Sequence, residues 1–541
     1  MHGATCRSDT FEGLETIPLL ALSDASPMSD ALAETISDGS DSVSISLLDL
    51  PDPCLVAVLR CCADDPHSLF SAARAHSRLV SLAVLRHAVA IAASSIRAIL
   101  PQQQQADSML QYLSAHGQHI GSLDLEDPHG VLDFQQLGAA EQLPHGKLKG
   151  LSNLRLKGFP LQLQTWGGFQ GVLEATVPIR KLELHSCTLQ DGEGGLVAAL
   201  VMLPELRHLG LVGNSSLKGV SFPSNILQTL QHLTYLETAS GWLQDAGGMW
   251  PLQGLTRLQD LRLNCLGRYT IHASMLSGMA HLTRLSVGGG CGRGVVVEPG
   301  VLAGKTQLQH LELVSCSSAD GSAGVAMRLS HLQDLQGLTY LSLRGSTGNT
   351  TAADYSALTA SSKLQHLDIS QCTLPDDVWE HVFPAGMHPA WLPHLRSLHI
   401  DRLRHPADDP WWTVPAPEIS RLVSCCPGLR SLDMWRLQYS ATSLAALTGL
   451  SNLTELHLCP AGASTGGLAV VCQLTGLRQL HLTDPKEDER LLLQLTQLRQ
   501  LTKLDYCSGW KAFVQVRCCW TTPCPRWTVC VQLCKWSFPG S

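Results

Sequence analysis

A single hydrophobic pattern, L-x-x-L-x-L, recurs from about residue 120 almost to residue 506. Clear copies are LRHLGLVGN from Leu206, LQHLELVSC from Leu308, LTYLSLRGS from Leu338 and LQHLDISQC from Leu364. Counted from the first apolar residue, copies start at 120, 151, 179, 206, 233, 258, 282, 308, 338, 364, 395, 429, 453, 477 and 501, fifteen units at intervals of 24 to 34 residues. In a short strand alternate side chains share a face, so the second and third leucines point inward together, and the first enters from the preceding turn. The next inward position must satisfy a turning backbone, and Asn214, Cys187, Cys316 and Cys372 occupy it in four copies. Between strands, stretches such as DGEGGLVAALVMLPE carry apolar residues at a spacing that suits a short packed helix. One unit cannot close its own core; stacking closes it.

This pattern resembles the leucine-rich-repeat family over residues 120–506. The resemblance implies an α/β solenoid, a horseshoe with a parallel concave sheet. The longer intervals nearer the start are similar to the helix-containing ribonuclease-inhibitor-like class, and the 24-residue intervals at the C-terminal end to the short repeat class.

Ahead of the array the pattern changes. Residues 8–46 hold no Lys or Arg but eight acids among many Ser and Thr, so residues 1–46 are expected to form a disordered acidic leader. Residues 47–100 then carry helix punctuation. Asp52-Pro53 precedes CLVAVLRCC, Asp65-Pro66 precedes HSLFSAARA, and a third apolar stretch runs from about Leu79 to Leu100 and stops at Pro101, which predicts three short helices. This segment resembles an F-box: Leu50-Pro51 fits the opening, Leu55, Val58 and Leu59 the first helix, Asp64-Asp65 and Leu69 the turn and second helix, and Ala72-Ala73 its small packed positions. RAHSRL stands where that family commonly has a Cys-x-x-Trp-like pattern. The resemblance implies that Leu50, Pro51, Leu55, Val58, Leu59 and Leu69 hold a Skp-type adaptor and, through it, a cullin. The chain would then be the substrate receptor of a Skp–cullin–F-box ubiquitin ligase. The alternative is a structural repeat scaffold, similar to those of ciliary axonemes, in which these helices only cap the solenoid. Residues 101–119 are expected to supply a linker and a capping helix from Asp107 to Gly117, which leaves the earlier helices surplus to capping.

Composition narrows the function further. Hydrophobic residues make up 44% of the chain and charged residues 16%, so most of it should fold. The formal net charge of -8 gives no electrostatic reason to expect nucleic acid or an anionic membrane as partner. The longest apolar run, SLAVLRHAVAIAASSI, is broken by Arg86 and His87 and is too short to span a bilayer. Neither a secretory signal nor a transit peptide is legible, so the expected location is cytoplasmic or nuclear, with the cilium as the counterpart of the scaffold reading. The 19 cysteines lie mostly singly along the repeats, as small buried thiols do.

Candidate chemistry is sparse. VEPGVLAGKT has Pro299 where a phosphate loop needs Gly, and GGGCGRG at 288–294 fits no dinucleotide fingerprint. His208, His310 and His366 share one outward column, and His399, His457 and His481 another; the last two stand on adjacent strands, close enough to share an ion. No carboxylate cluster with metal-ligand spacing is evident beside them, so they read as solvated or ligand-facing imidazoles, and neither metal nor cofactor is expected. Residues 507–541 read as an irregular Cys- and Trp-rich tail in which Cys519, Cys524, Cys530 and Cys534 match no familiar zinc finger. The outward position between the two inward leucines carries seven acids and two arginines, which favours a basic target segment. Tyr235, Arg262, Tyr340, Arg344 and Trp435 are the candidate target-binding anchors on this face. No catalytic residue is expected.

Overall fold

In the computed structural model each of the fifteen copies forms a strand that begins two residues after its first apolar residue. The structure describes residues 95–100, 120–128, 150–161, 179–189, 199–214, 229–239, 251–265, 269–289, 295–315, 329–345, 351–384, 392–401, 413–458, 466–483, 495–508, 512–518 and 529–534, apart from 299, 376, 415 and 436, together with 113, 117 and 196. The strands are β1 (Ser95–Ile99), β2 (Ser122–Glu126), β3 (Asn153–Lys157), β4 (Lys181–His185), β5 (His208–Val212), β6 (Tyr235–Ala239), β7 (Asp260–Cys265), β8 (Arg284–Gly289) and β9 (His310–Ser315). They continue as β10 (Tyr340–Ser342), β11 (His366–Asp368), β12 (Ser397–His399), β13 (Ser431–Met434), β14 (Glu455–Leu458), β15 (Gln479–Thr483), β16 (Lys503–Ser508), β17 (Ala512–Cys518) and β18 (Val529–Cys534). The chain divides into two compact units, residues 1–154 with 168–177 and residues 155–167 with 178–541.

In the first unit β1 lies parallel to β2, with Ile96 opposite Leu123 and Ala98 opposite Leu125. The helix expected to run from Leu79 to Leu100 therefore does not reach its end as a helix. Ile96 and Leu100 are buried and Arg97 and Ile99 exposed, an alternation with strand period rather than helix period. A repeat-type strand thus stands before the first expected copy. The first two F-box-like helices, the acidic leader and most of the expected capping helix lie outside the described residues.

In the second unit β4 to β16 pair in unbroken succession, every pair parallel. The register never slips: Leu209 faces Leu236, Leu236 faces Leu261, and the same column runs on to Leu480 and Leu504. From Leu209 to Leu480 these leucines are buried, as are the first and third positions of the same copies, and each buried leucine contributes roughly 1.5–3 kcal/mol; Leu504, in the last copy, is half-buried. This stacked, in-register parallel sheet with leucines behind it is a leucine-rich-repeat solenoid.

The motif also dictates how neighbours join. Both N–H groups between the first and second leucines donate to one carbonyl of the preceding unit, as Arg207 and His208 do to Arg180 at 2.8 and 2.9 Å. Where the first of these residues is Thr, its hydroxyl adds a third bond: Thr234, Thr283, Thr339, Thr454 and Thr502 all donate to that carbonyl at 3.0–3.1 Å. Past the strand the chain turns through a left-handed residue seven positions after the motif's start, Gly158, Ser186, Gly213, Gly345 or Gln371. At Gly213 a Cβ would also stand 2.9 Å from Ser186 Oγ. The next residue is the inward Asn or Cys. Asn214 Nδ2 donates to the Leu184 carbonyl at 2.9 Å and its Oδ1 accepts from the Cys187 N–H at 2.6 Å. Cys187 and Cys372 donate their thiols to the carbonyls of Leu156 and Leu343. Cys316 lies outside the described residues.

Behind the sheet the helices are α1 (Ala273–Leu276), α2 (Val378–Val382), α3 (Ala416–Cys425), α4 (Ala441–Ala446) and α5 (Gly466–Val471), with 3-10 turns such as Leu329–Leu332 between them. Helices were expected chiefly in the longer units nearer the start. Among the described residues, Leu196 and residues 199–201 of DGEGGLVAALVMLPE are helical, in a unit near the start, and α3, α4 and α5 add helices toward the C-terminal end, two of them in 24-residue units. Local capping explains α4: Ser440 Oγ accepts from the Ser443 N–H at 3.0 Å. Nor is the tail wholly irregular. β17 pairs antiparallel with β16, and β18 antiparallel with β17, so a hairpin covers the edge of β16. AFVQVRC and VCVQLC alternate at strand period, a signal that attention to cysteine spacing obscured.

Candidate recognition face

Because the leucines occupy one face of the sheet, the residues between them form columns on the other, with neighbours about 4.8 Å apart. That spacing is close to ring-stacking distance, and the first column exploits it. The His208 and Tyr235 rings stack at 3.7 Å with 4° between planes. Four strands on, roughly 20 Å away, Tyr340 is sandwiched between His310 at 3.9 Å and His366 at 4.2 Å. His366 in turn meets His399 at 4.9 Å. Burial, and then the neighbouring His399, pull the His366 imidazole down to about 4, so it is neutral in the folded protein at neutral pH. Burial pushes the Tyr340 phenol up to about 12.

Charge is arranged just as locally. Glu183 collects His208 at 2.8 Å, Lys181 at 3.0 Å, Arg155 at 3.4 Å and His185 at 3.8 Å. His185 and His208 hold its carboxyl far below the usual carboxylate range; His185 stands beyond hydrogen-bond reach, so its share is through-space attraction. Tyr235 donates its hydroxyl to Glu237 at 2.6 Å, and Arg262, paired with Asp260, lies 5.2 Å from the Tyr235 ring centre. Burial, and then that hydrogen bond, raise the Tyr235 phenol above its ordinary value. The acidic ridge expected from sequence is thus partly neutralised by cations in the adjacent columns.

The five sequence-predicted anchors all lie on described elements of this face or at its margin, but not as one patch. Tyr235 and Arg262 are brought together by the cation–π contact. Tyr340 belongs to the imidazole stack. Arg344 is exposed beside Gln371, to whose side-chain oxygen it donates at 2.7 and 3.1 Å. Trp435 stands half-buried past β13, its backbone N–H donating to Asp433 Oδ1 at 3.0 Å. Leu50, Pro51, Leu55, Val58, Leu59 and Leu69 lie outside the described residues.

A second constellation adds carboxylates to the His457–His481 pair expected from sequence. In the column of β13 to β16, Asp433, His457, His481 and Asp505 follow one another on successive strands, and Glu455 precedes His457 in the neighbouring column. His457 Nδ1 faces Asp433 at 3.4 Å and its Nε2 faces Glu455 at 3.1 Å; His481 Nδ1 faces Asp505 at 2.8 Å. Burial lowers the affinity of His457 for its proton, but Asp433 and Glu455 outweigh it and raise the group to about 9. Burial and the neighbouring His457 lower His481. Glu455 is held down to about 2 by its bond with His457. Asp433 and Asp505 are already among the acids of the outward column; setting that column beside the histidines, and adding Glu455 from the neighbouring one, would have found the cluster.

No protein-family model matches the chain, and no curated protein matches it. Solved structures do: 371 chains match. An internalin from Listeria monocytogenes shares 17% identity at a TM-score of 0.40, covering 75% of this chain and 93% of the internalin. The structure titled TLR13-ssRNA13 complex shares 18% identity at a TM-score of 0.45, covering 73% of this chain and 59% of that one. The fold assignment rests on the register and spacing of the strands. No described helix is long and apolar enough to cross a membrane.

Proposed function

We propose that the chain is a non-catalytic recognition module. It holds a target protein on the polar face of its sheet and docks a Skp-type adaptor, and through it a cullin, with residues 47–100. The observation that carries the first half is the face itself: rigid aromatic and guanidinium groups, Tyr235 with Arg262 and Tyr340 between two imidazoles, fixed on a leucine-backed sheet. The second half is supported by the F-box-like residues from Leu50 to Leu69. Function would follow from effective concentration, with the target held near a conjugating enzyme. Co-precipitation of a purified Skp-type adaptor with the full chain tests this reading. Leu50→Ala/Pro51→Ala should weaken capture at least about tenfold, the consequence of removing two apolar anchors worth about 1–2 kcal/mol each. Failure of the unaltered chain to bind the adaptor would overturn it.

One observation favours a second reading. β1, in the segment expected to form the third F-box helix, pairs with β2. A chain whose N-terminal helices only cap the array would be a scaffold. It would bind no adaptor, and deleting residues 1–94 would lower the melting temperature of the array.

A further inference from the structure

We propose that Glu455, His457 and His481 form a binding site for a divalent transition-metal ion of the zinc class on the exposed face of β14 and β15. One ligand atom from each residue lies within 4.8 Å of the others. Tetrahedral zinc, with bonds of about 2.0–2.1 Å to nitrogen and oxygen, places its ligands roughly 3.4 Å apart, so modest side-chain rotation closes the set. Two nitrogens and one carboxylate oxygen suit zinc, cobalt or nickel better than the hard cations, which prefer all-oxygen sites.

The surroundings supply an independent argument. Across four adjacent strands the column reads Asp433, His457, His481, Asp505. Each imidazole turns Nδ1 toward the aspartate on its outer side, at 3.4 and 2.8 Å. This fixes ring orientation and leaves Nε2 as the ligand atom, the carboxylate–histidine arrangement that commonly supports a metal. His457 Nε2 is the atom that faces Glu455 Oε1, at 3.1 Å, and the two imidazole centres are 3.9 Å apart. Asp505 is itself steadied by Lys503 at 2.9 Å. His457 and His481 are 27% and 23% exposed, so an ion has open access and a fourth position remains for water. Elsewhere on the described face Tyr340 separates His310 from His366, His399 Nε2 faces Ser397 Oγ, and His185 and His208, though both turned toward Glu183, do not bring their ligand atoms and its carboxylate within 4.8 Å of one another.

The test is calorimetric titration of the metal-stripped full chain with zinc sulphate alone, alongside cobalt substitution read by its four-coordinate absorption bands. The unaltered chain should bind one ion in a step that His457→Gln and His481→Gln each abolish and that the control His310→Gln leaves intact; the control separates the site from background binding by the cysteines. Asp505→Asn should weaken binding about 10- to 100-fold, the usual cost of losing a supporting carboxylate. Circular dichroism and melting curves establish that each variant is folded. Should the histidine variants unfold, Glu455→Gln keeps both His–Asp pairs and must weaken binding at least tenfold. An ion that survives these substitutions, or the absence of a stoichiometric step in the unaltered chain, overturns the proposal.

Discussion

Replacing Asn214 with Ala should destabilise the array locally, by an amount the structure lets one work out. Asn214 is 5% exposed, and its amide satisfies two main-chain groups of the preceding unit, the Leu184 carbonyl at 2.9 Å and the Cys187 N–H at 2.6 Å. The Leu184 carbonyl lies within β4, opposite Leu211, but the Cys187 N–H stands past the end of β4, where the chain has turned through Ser186 at φ 52°, and depends on Asn214. A buried polar group stripped of its partner costs about 1–3 kcal/mol. One such group, the Cys187 N–H, gives about 1–3 kcal/mol, less where a water enters the vacated space. Because units contact mainly their neighbours, the loss should be read locally rather than from a global melting curve. The assay is native-state hydrogen exchange at the Cys187 amide, which should quicken roughly 5- to 150-fold, since every 1.4 kcal/mol is a factor of ten. Asn214→Asp keeps the acceptor for Cys187 but loses the donor to Leu184, and should fall between the two. A Cys187 amide that exchanges as slowly in Asn214→Ala as in the unaltered chain would refute the claim that this side chain closes the turn.

Two further outcomes follow from the same geometry. His366 titrates at about 4 when folded against 6.5 when unfolded, with Asp368 and Glu312 opposing the effect of burial, His399 and His310. Its contribution is therefore fully present above pH 6.5 and lost as pH falls toward 4, about 2 kcal/mol once solvent screening of a partly exposed ring is allowed for. Urea titrations of His366→Gln should show a correspondingly shallower loss of stability across that window, and an unchanged slope would contradict the assignment. Burial pushes the Cys187 thiol up to about 11 and raises Cys426 as well. Neither should be alkylated by iodoacetamide in the native protein at pH 8, whereas both should react in urea, as peptide mass spectrometry would show.

What could be read from sequence was what repetition makes redundant. Any single L-x-x-L-x-L has little force, but Leu209, Leu236, Leu261 and their successors recur in register, and as far as Leu480 all of them are buried strand residues. The turn residues Asn214, Cys187 and Cys372 were legible for the same reason, since a small polar or thiol side chain at one recurrent inward position has a backbone to satisfy. β1 was not legible because Ala98 stands where a leucine would complete the motif, and an alanine-rich apolar run resembles a helix. β17 and β18 were obscured because their alternation reverses direction and leaves the repeat period.

The candidate sites follow a different rule, because on this face chain neighbours and spatial neighbours diverge. Glu455 and His457 are close in both senses, two residues apart on one strand. Asp433, His481 and Asp505 reach them only through the zero-offset register, 22 residues or more away along the chain. The same register turns His310, Tyr340 and His366 from scattered letters into a stack. Once the leucines have set that register, each outward residue has predictable neighbours on both sides, about 4.8 Å away. A one-residue slip would turn the leucines out and the imidazoles into the core. The apolar positions that carry the fold therefore also hold the face together, and a substitution at Leu456 or Leu480, remote from any ligand, should misplace His457 and His481 as surely as one at the histidines themselves.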